Sequence, residues 1–248
     1  MASYLNRFFL FLLIFIGMTS KFLEAEEIPQ HLIDLRQLQE NMLPQDTSYR
    51  HRDSEVTWKG DNGATKYVCH TDCSGLIDRL LEHTYGISKI RLKDWLGGRI
   101  RPRTKNYYQA VKDQNGFEHL ENVKLLRPGD FIAIKFLPGS GDRGHDTGHI
   151  MVVNGYPVET EGSSKQNPNL QQWSIDIIDC SHGHGKSDSR YHDGKYWPGI
   201  GKGNFALYTN QNGGLIGYSW TPSPNSIFYG EDKRPLAAGR LNSNIIQR

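Results

Sequence analysis

Four short apolar runs occupy the second half of this 248-residue chain, and none is long enough for a helix of ordinary length. They are Phe131-Ile132-Ala133-Ile134-Lys135-Phe136, His149-Ile150-Met151-Val152-Val153-Asn154, Ser174-Ile175-Asp176-Ile177-Ile178-Asp179 and Phe205-Ala206-Leu207-Tyr208. Rich in β-branched and aromatic side chains and separated by polar, glycine-rich loops, each predicts a strand. Arg127-Pro128-Gly129-Asp130, ahead of the first run, predicts a type II turn. The strong helical signal precedes all four: Ser74 to Thr84 is amphipathic and stops at Gly86. A helix followed by consecutive strands predicts an α+β domain, with the helix packed on a mainly antiparallel sheet.

The chain has room for one sizeable domain with an extra arm. Arg7 precedes an apolar run of 11 residues, Phe8 to Met18, which is short against the roughly 20 residues a membrane-spanning helix needs. Residues 1–25 therefore read as a secretory signal peptide, with cleavage after Ser20 or Ala25; an uncleaved N-terminal anchor is the alternative. No cysteine follows the run, which argues against lipoprotein-type acylation. The expected location is secreted or periplasmic. Residues 26–56 read as an N-terminal helical arm, with Leu32, Leu35, Leu38 and Met42 along one weakly apolar face, and 231–248 as a C-terminal tail. Lys plus Arg (29) nearly balances Asp plus Glu (27), so charge makes no case for nucleic acid. Lys89 to Lys105 is strongly basic and reads either as solvated surface or as an anion-binding wall.

Asp72-Cys73-Ser74-Gly75 places a cysteine at a helix start, where the dipole and free amides favour a thiolate. A thiolate is the nucleophile of a covalent hydrolase. In an exported protein the three cysteines leave one thiol over. Cys69 paired with Cys180 would free Cys73, Cys69 paired with Cys73 would silence it, and three free thiols are the third possibility. Consecutive strands usually pair. With the second and third runs antiparallel, His149 and Asp179 fall at the same sheet end. Strand alternation puts Asp179 on one face with Ile175 and Ile177, and Asp176 on the other with Ile178 and Cys180. A carboxylate beside an imidazole holds its tautomer and keeps it basic. Cys73, His149 and Asp179 are thus the expected catalytic triad, with Asp176, Ser181 and His182 as substitutes for the third position.

Asp72-Cys73-Ser74-Gly75 with its helix, Arg127-Pro128-Gly129-Asp130-Phe131 before a strand, and Gly148-His149-Ile150-Met151-Val152-Val153 together resemble the NlpC family of bacterial cell-wall cysteine peptidases, over about residues 65–210. The resemblance implies a papain-like catalytic domain, here 57–230, without a cofactor. It implies that Cys73 attacks, His149 acts as base and Asp179 orients it. It further implies an amide of a peptidoglycan stem peptide as substrate, and Asp72, Ser74 and Tyr67 as substrate-binding residues. Tyr67 lies six residues before the cysteine, nearer than the family's tyrosine, and lacks its Gly-Gly.

Three other readings stand beside this one. Asp179-Cys180-Ser181-His182-Gly183-His184, with His192 and Asp193, contains metal-ligand residue types, but the spacing matches no common zinc module, so no metal is expected. The same fold could act on a different amide or lipid as an amidase or acyltransferase. It could also bind cell-wall material without catalysis, using the basic stretch as a wall.

Overall fold

The computed structural model describes residues 27–97, 100–140, 147–161, 167 and 169–246. In chain order these hold α1 (Gln30–Glu40), β1 (Thr47–Tyr49), β2 (Glu55–Thr57), β3 (Val68–Thr71), α2 (Cys73–Tyr85), α3 (Lys89–Leu96), α4 (Thr104–Lys112) and β4 (Phe117–Leu120). There follow β5 (Phe131–Lys135), β6 (Gly148–Val153), β7 (Val158–Thr160), β8 (Gln171–Ser181), β9 (Tyr191–His192) and β10 (Lys195–Tyr196). The chain ends with β11 (Gly199–Thr209), β12 (Leu215–Ser219), β13 (Tyr229–Gly230), β14 (Leu236–Leu241) and α5 (Ser243–Ile246). The signal-peptide reading of 1–25 lies outside the described residues. Among the described residues no helix is long and apolar enough to cross a membrane.

The architecture is α+β. Nine strands form one antiparallel sheet in the order β13-β12-β11-β8-β6-β5-β14-β4, with β7 on the flank of β8. The sheet curls until its ends meet: Asn122, after β4, bridges Gly214, before β12, and the Leu215 amide donates to the Glu121 carbonyl at 3.1 Å. Alternation along the strands therefore sorts side chains between an inner and an outer core. Leu120, Ile132, Ile134, Met151, Val153, Ile175, Ile177, Phe205 and Tyr218 fill the inside. Ile150, Val152, Ile178 and Cys180 face outward, where helices α1 to α4 cover them. A second sheet, β1-β3-β2, joins β3 to α2, and its β1–β3 pair is parallel.

The expected arm, described from residue 27 to 56, is part of this body rather than an appendage. Leu32, Leu35 and Leu38 of α1 are fully buried. His31 donates from Nε2 to the Gly129 carbonyl (2.7 Å) and accepts at Nδ1 from the Tyr85 hydroxyl (2.8 Å), tying α1 to the end of α2. Burial pushes its pKa down, consistent with a neutral ring in those two roles. Residues 44–57 then supply β1 and β2. The supposed tail differs more: β14 is an internal strand of the large sheet, between β5 and β4. Arg240 from β14 forks onto Asp130 of the Arg127–Asp130 turn at 2.9 and 3.0 Å. The basic stretch supplies α3 and the start of α4, with Leu92, Leu96 and Thr104 buried beneath its charges. Tyr107 of α4 donates to Asp78 of α2 at 2.6 Å, joining the two helices.

Candidate active site

Cys73 is the first residue of α2, and Asp72 is its N-cap, accepting from the Gly75 amide at 2.8 Å. The glycine follows from the crowding: a Cβ at position 75 would lie 2.2 Å from Thr71 Oγ1. The Leu76 amide donates to the Asp72 carbonyl at 3.0 Å. In the first turn this leaves the amides of Cys73 and Ser74 as donors for an incoming oxygen.

β6 and β8 are antiparallel neighbours, with Val152 opposite Ile178 and Val153 opposite Ile177. That register carries His149 and Asp179 to one sheet end on the inner face. His149 Nε2 donates to Asp179 Oδ2 at 2.5 Å, and the Cys73 side chain lies beside the same imidazole. Burial works against a charge on His149. Cys73 and Asp179 outweigh it and carry the imidazole up to about 10, so the ring holds its proton between a sulfur and a carboxylate. Thr104, the first residue of α4 and 2% exposed, brings Oγ1 to 3.6 Å from Cys73 Sγ. Trp220 stands edge-on to the His149 ring, centroids 5.4 Å apart.

Asp179 is fully buried, and burial disfavours its charge. Arg190, His184 and the histidine hydrogen bonds overcome this and hold its carboxyl well below the usual range. Arg190 Nη1 reaches Asp179 Oδ1 at 2.7 Å, and its Nε and Nη2 fork onto Asp188, each at 2.7 Å. His184 places Nε2 2.8 Å from Asp179 Oδ2 and turns Nδ1 toward the Trp220 carbonyl at 3.2 Å. Asp188 also accepts from the His184 amide. Room for this network comes from β11, where Gly201 lies opposite Asp179. A Cβ on Gly201 would lie 2.6 Å from Arg190 Nε, and one on Gly203 2.7 Å from His184 Cδ2. Sequence reasoning assigned no role to Arg190, Asp188, His184 as a partner of Asp179, or Thr104. The alternating glycines of Gly199-Ile200-Gly201-Lys202-Gly203 were the available signal, because a strand lacks side chains on one face only where something else fills the space.

Other candidates fall elsewhere. Tyr67 packs against the outer core at the far end of β3, six residues or about 20 Å of extended chain before Cys73. The tyrosine at the near end is Tyr49, opposite Thr71 in register. Ser74 is buried with Oγ 3.3 Å from Asp72 Oδ1. Asp176 is exposed on the opposite face, bonded to Asn204, and His182 packs its ring edge-on to Tyr49. Cys69, Cys73 and Cys180 are free; Cys180 donates to the Thr71 carbonyl at 3.2 Å, and burial pushes its thiol well up. His149, Asp179 and His184 are the described residues whose ligand atoms come within 4.8 Å of one another. Their N···O separations of 2.5 and 2.8 Å are hydrogen-bond lengths, shorter than the roughly 3.3 Å between two ligands of a tetrahedral zinc. With the Arg190 cation on the same carboxylate, the set fits a hydrogen-bonded cluster around an ionised Asp179 better than an ion site.

"Uncharacterized protein R653" of Acanthamoeba polyphaga mimivirus is 37% identical over 205 residues, 79% of this chain and 88% of that protein. The chain belongs to that protein's family. A match over that share of the chain takes in the whole segment from Cys73 to Arg190, so the helix start, both site strands and the buried arginine lie in the shared span. No family model matches the chain, and no solved structure does.

Proposed function

We propose that this protein is a papain-like thiol hydrolase that cleaves an amide bond, with Cys73 as nucleophile, His149 as acid and base, and Asp179 as the group that orients His149. The carrying observation is the buried chain of contacts from the Cys73 side chain through His149 to Asp179, built at a helix N-terminus. Cys73 Sγ attacks the amide carbonyl, and the amides of Cys73 and Ser74 take up the oxyanion. His149 gives its proton to the leaving nitrogen as the C–N bond breaks, leaving a thioester. Water then yields a proton to His149 and attacks the thioester; a carboxylic acid departs and the sulfur recovers its charge. Asp179, clamped by Arg190, remains ionised throughout.

Peptidoglycan stem peptides are the first substrate to test, since the ordered motifs around Cys73, Asp130 and His149 resemble the cell-wall peptidases and residues 1–25 read as an export signal. Wild type and Cys73→Ala are incubated with defined muropeptides, and new amines are sought by mass spectrometry. Cleavage by wild type and none by Cys73→Ala is the expected result. Cleavage that survives in Cys73→Ala removes the thiol mechanism, and no cleavage of any fragment by wild type removes the substrate.

A further inference from the structure

The resemblance to cell-wall peptidases assigns Asp72 to a substrate amine, yet its carboxylate is already engaged. Oδ1 accepts from the Gly75 amide at 2.8 Å and faces Arg101 Nη2 at 2.7 Å; Oδ2 faces His51 Nδ1 at 3.1 Å. An ammonium arriving here would meet Arg101 before it met a free carboxylate oxygen. The basic side chains are the outward-facing members of the cluster: the Asp72 side chain keeps 12% of its exposure, Arg101 37% and His51 64%.

Arg101 is also held in place. Its Nη1 donates to the His51 carbonyl at 2.7 Å, which ties the loop after β1 to the loop before α4. A guanidinium has five N–H donors, and these two contacts leave donors to spare. It stands over the first turn of α2, since a Cβ on Gly75 would lie 3.0 Å from Nη2, and Gly75 has no side chain to screen it. In the doubly protonated ring of His51, Nδ1–H serves Asp72 and Nε2–H is the donor left for a ligand. Tyr49 continues the rim, its ring 5.2 Å from that of His51.

We propose that Arg101 and His51 form a subsite for a carboxylate that the substrate carries beside its scissile amide. The proposal rests on the thiol-hydrolase reading of Cys73 and narrows it from amides in general to anionic ones. The Arg101 guanidinium supplies cationic N–H donors for a carboxylate, and its ion pair with Asp72 and its bond to the His51 carbonyl hold it at the rim.

The test needs no substrate. Iodoacetate and iodoacetamide alkylate a thiolate by the same displacement, with loss of iodide, and differ in the carboxylate the first one carries. Rates at Cys73 are followed by peptide mass spectrometry for both reagents on the full chain. The iodoacetate-to-iodoacetamide ratio should exceed that of free glutathione, and it should fall roughly fivefold in Arg101→Gln. Arg101→Lys should keep part of it, and His51→Asn should lower it further. Arg101→Gln also uncovers the Asp72 charge, so the double variant Asp72→Asn/Arg101→Gln is measured beside it. A ratio that stays low in the double variant supports the subsite, and one restored to the wild-type value assigns the effect to Asp72 and overturns it. Should Arg101→Gln fail to fold, raised salt on wild type lowers the ratio if the subsite exists and leaves it unchanged if it does not. Fast reaction with both reagents at an unaltered ratio overturns the subsite and keeps the nucleophile. No reaction of Cys73 with either reagent removes the nucleophile itself.

Discussion

At the scale of single residues, His149 carries the most demanding electrostatics in the molecule. It is buried, which costs its charge, yet a sulfur on one side and a carboxylate on the other return more than burial removes. The folded value of about 10 lies above the ordinary 6.5. Below pH 6.5 both folded and unfolded chains carry this proton, so the ring's contribution to stability is complete there. It erodes as pH rises through about 10, where the folded protein too gives the proton up. The His149 ring resonances should therefore stay constant through neutrality and titrate near pH 10 in wild type. Cys73→Ala, which removes the largest favourable partner, should bring the midpoint down, and Asp179→Asn should do the same. A wild-type midpoint near 6.5, unmoved by either substitution, would mean that sulfur, imidazole and carboxylate do not act as one unit. This trio was legible in the sequence because each member follows from a short-range rule. A cap and helix start fix Cys73, and period-2 alternation with antiparallel pairing of neighbouring strands brings His149 and Asp179 together. Arg190 and His184 follow no such rule. They sit in the segment between β8 and β11, whose path is set by what it folds onto.

At the scale of elements, the least conspicuous part of the site is β11, a strand that contributes empty space. Gly201 and Gly203 face Asp179 and the loop that returns over it, and Arg190, His184 and Asp188 fill the volume their side chains would occupy. Gly203→Ala would put a methyl group 2.7 Å from His184 Cδ2, 2.8 Å from Asp188 Oδ2 and 2.9 Å from His184 Cβ. None of these is the free end of a flexible chain, so His184 and Asp188 must move. The expected outcome is a stability loss of about 1–3 kcal/mol from overpacking, read from urea midpoints. Cys73 alkylation should also slow, as Asp179 loses a partner and the support of His149 loosens. A Gly203→Ala variant with an unchanged midpoint and an unchanged alkylation rate would show that the network tolerates displacement. The longer strands were only half visible in the sequence for the same reason. Gly199-Ile200-Gly201-Lys202-Gly203 has the composition of a loop, and only the partner strand β8, pairing residue for residue from Gly199–Ser181 to Thr209–Gln171, makes it a strand.

At the scale of the whole molecule, the chain completes its large sheet with its last described strand, inserted between β5 and β4. Leu236-Ala237-Ala238-Gly239-Arg240-Leu241 has weak strand propensity, and its partners lie about a hundred residues earlier, so no local pattern marks it as structural. Tertiary context overrides that weakness. Ala237, Ala238 and Leu236 are buried, Gly239 comes within 2.8 Å of Val111 where a Cβ would be, and Arg240 forks onto Asp130. Small side chains here let α4 lie close against β14 on the outer face. Removing residues 231–248 would therefore take an internal strand away, parting β5 from β4 and leaving the ladders of both unpaired on one side. Ile132 and Ile134 of the inner core would lose cover, and Asp130 would stay in the turn without its arginine. The truncated chain should be unfolded or insoluble, seen as loss of cooperative thermal unfolding by circular dichroism. The milder Arg240→Met keeps the strand and takes the Arg240 guanidinium from a buried carboxylate that keeps the Arg127 amide, and it should destabilise by about 3 kcal/mol at neutral pH. Because burial already raises the Asp130 carboxyl and Arg240 holds it down, that loss should shrink as pH falls and Asp130 takes up a proton. A truncated chain that unfolds cooperatively at the wild-type temperature would mean that β14 is a lid on a finished domain rather than part of its frame.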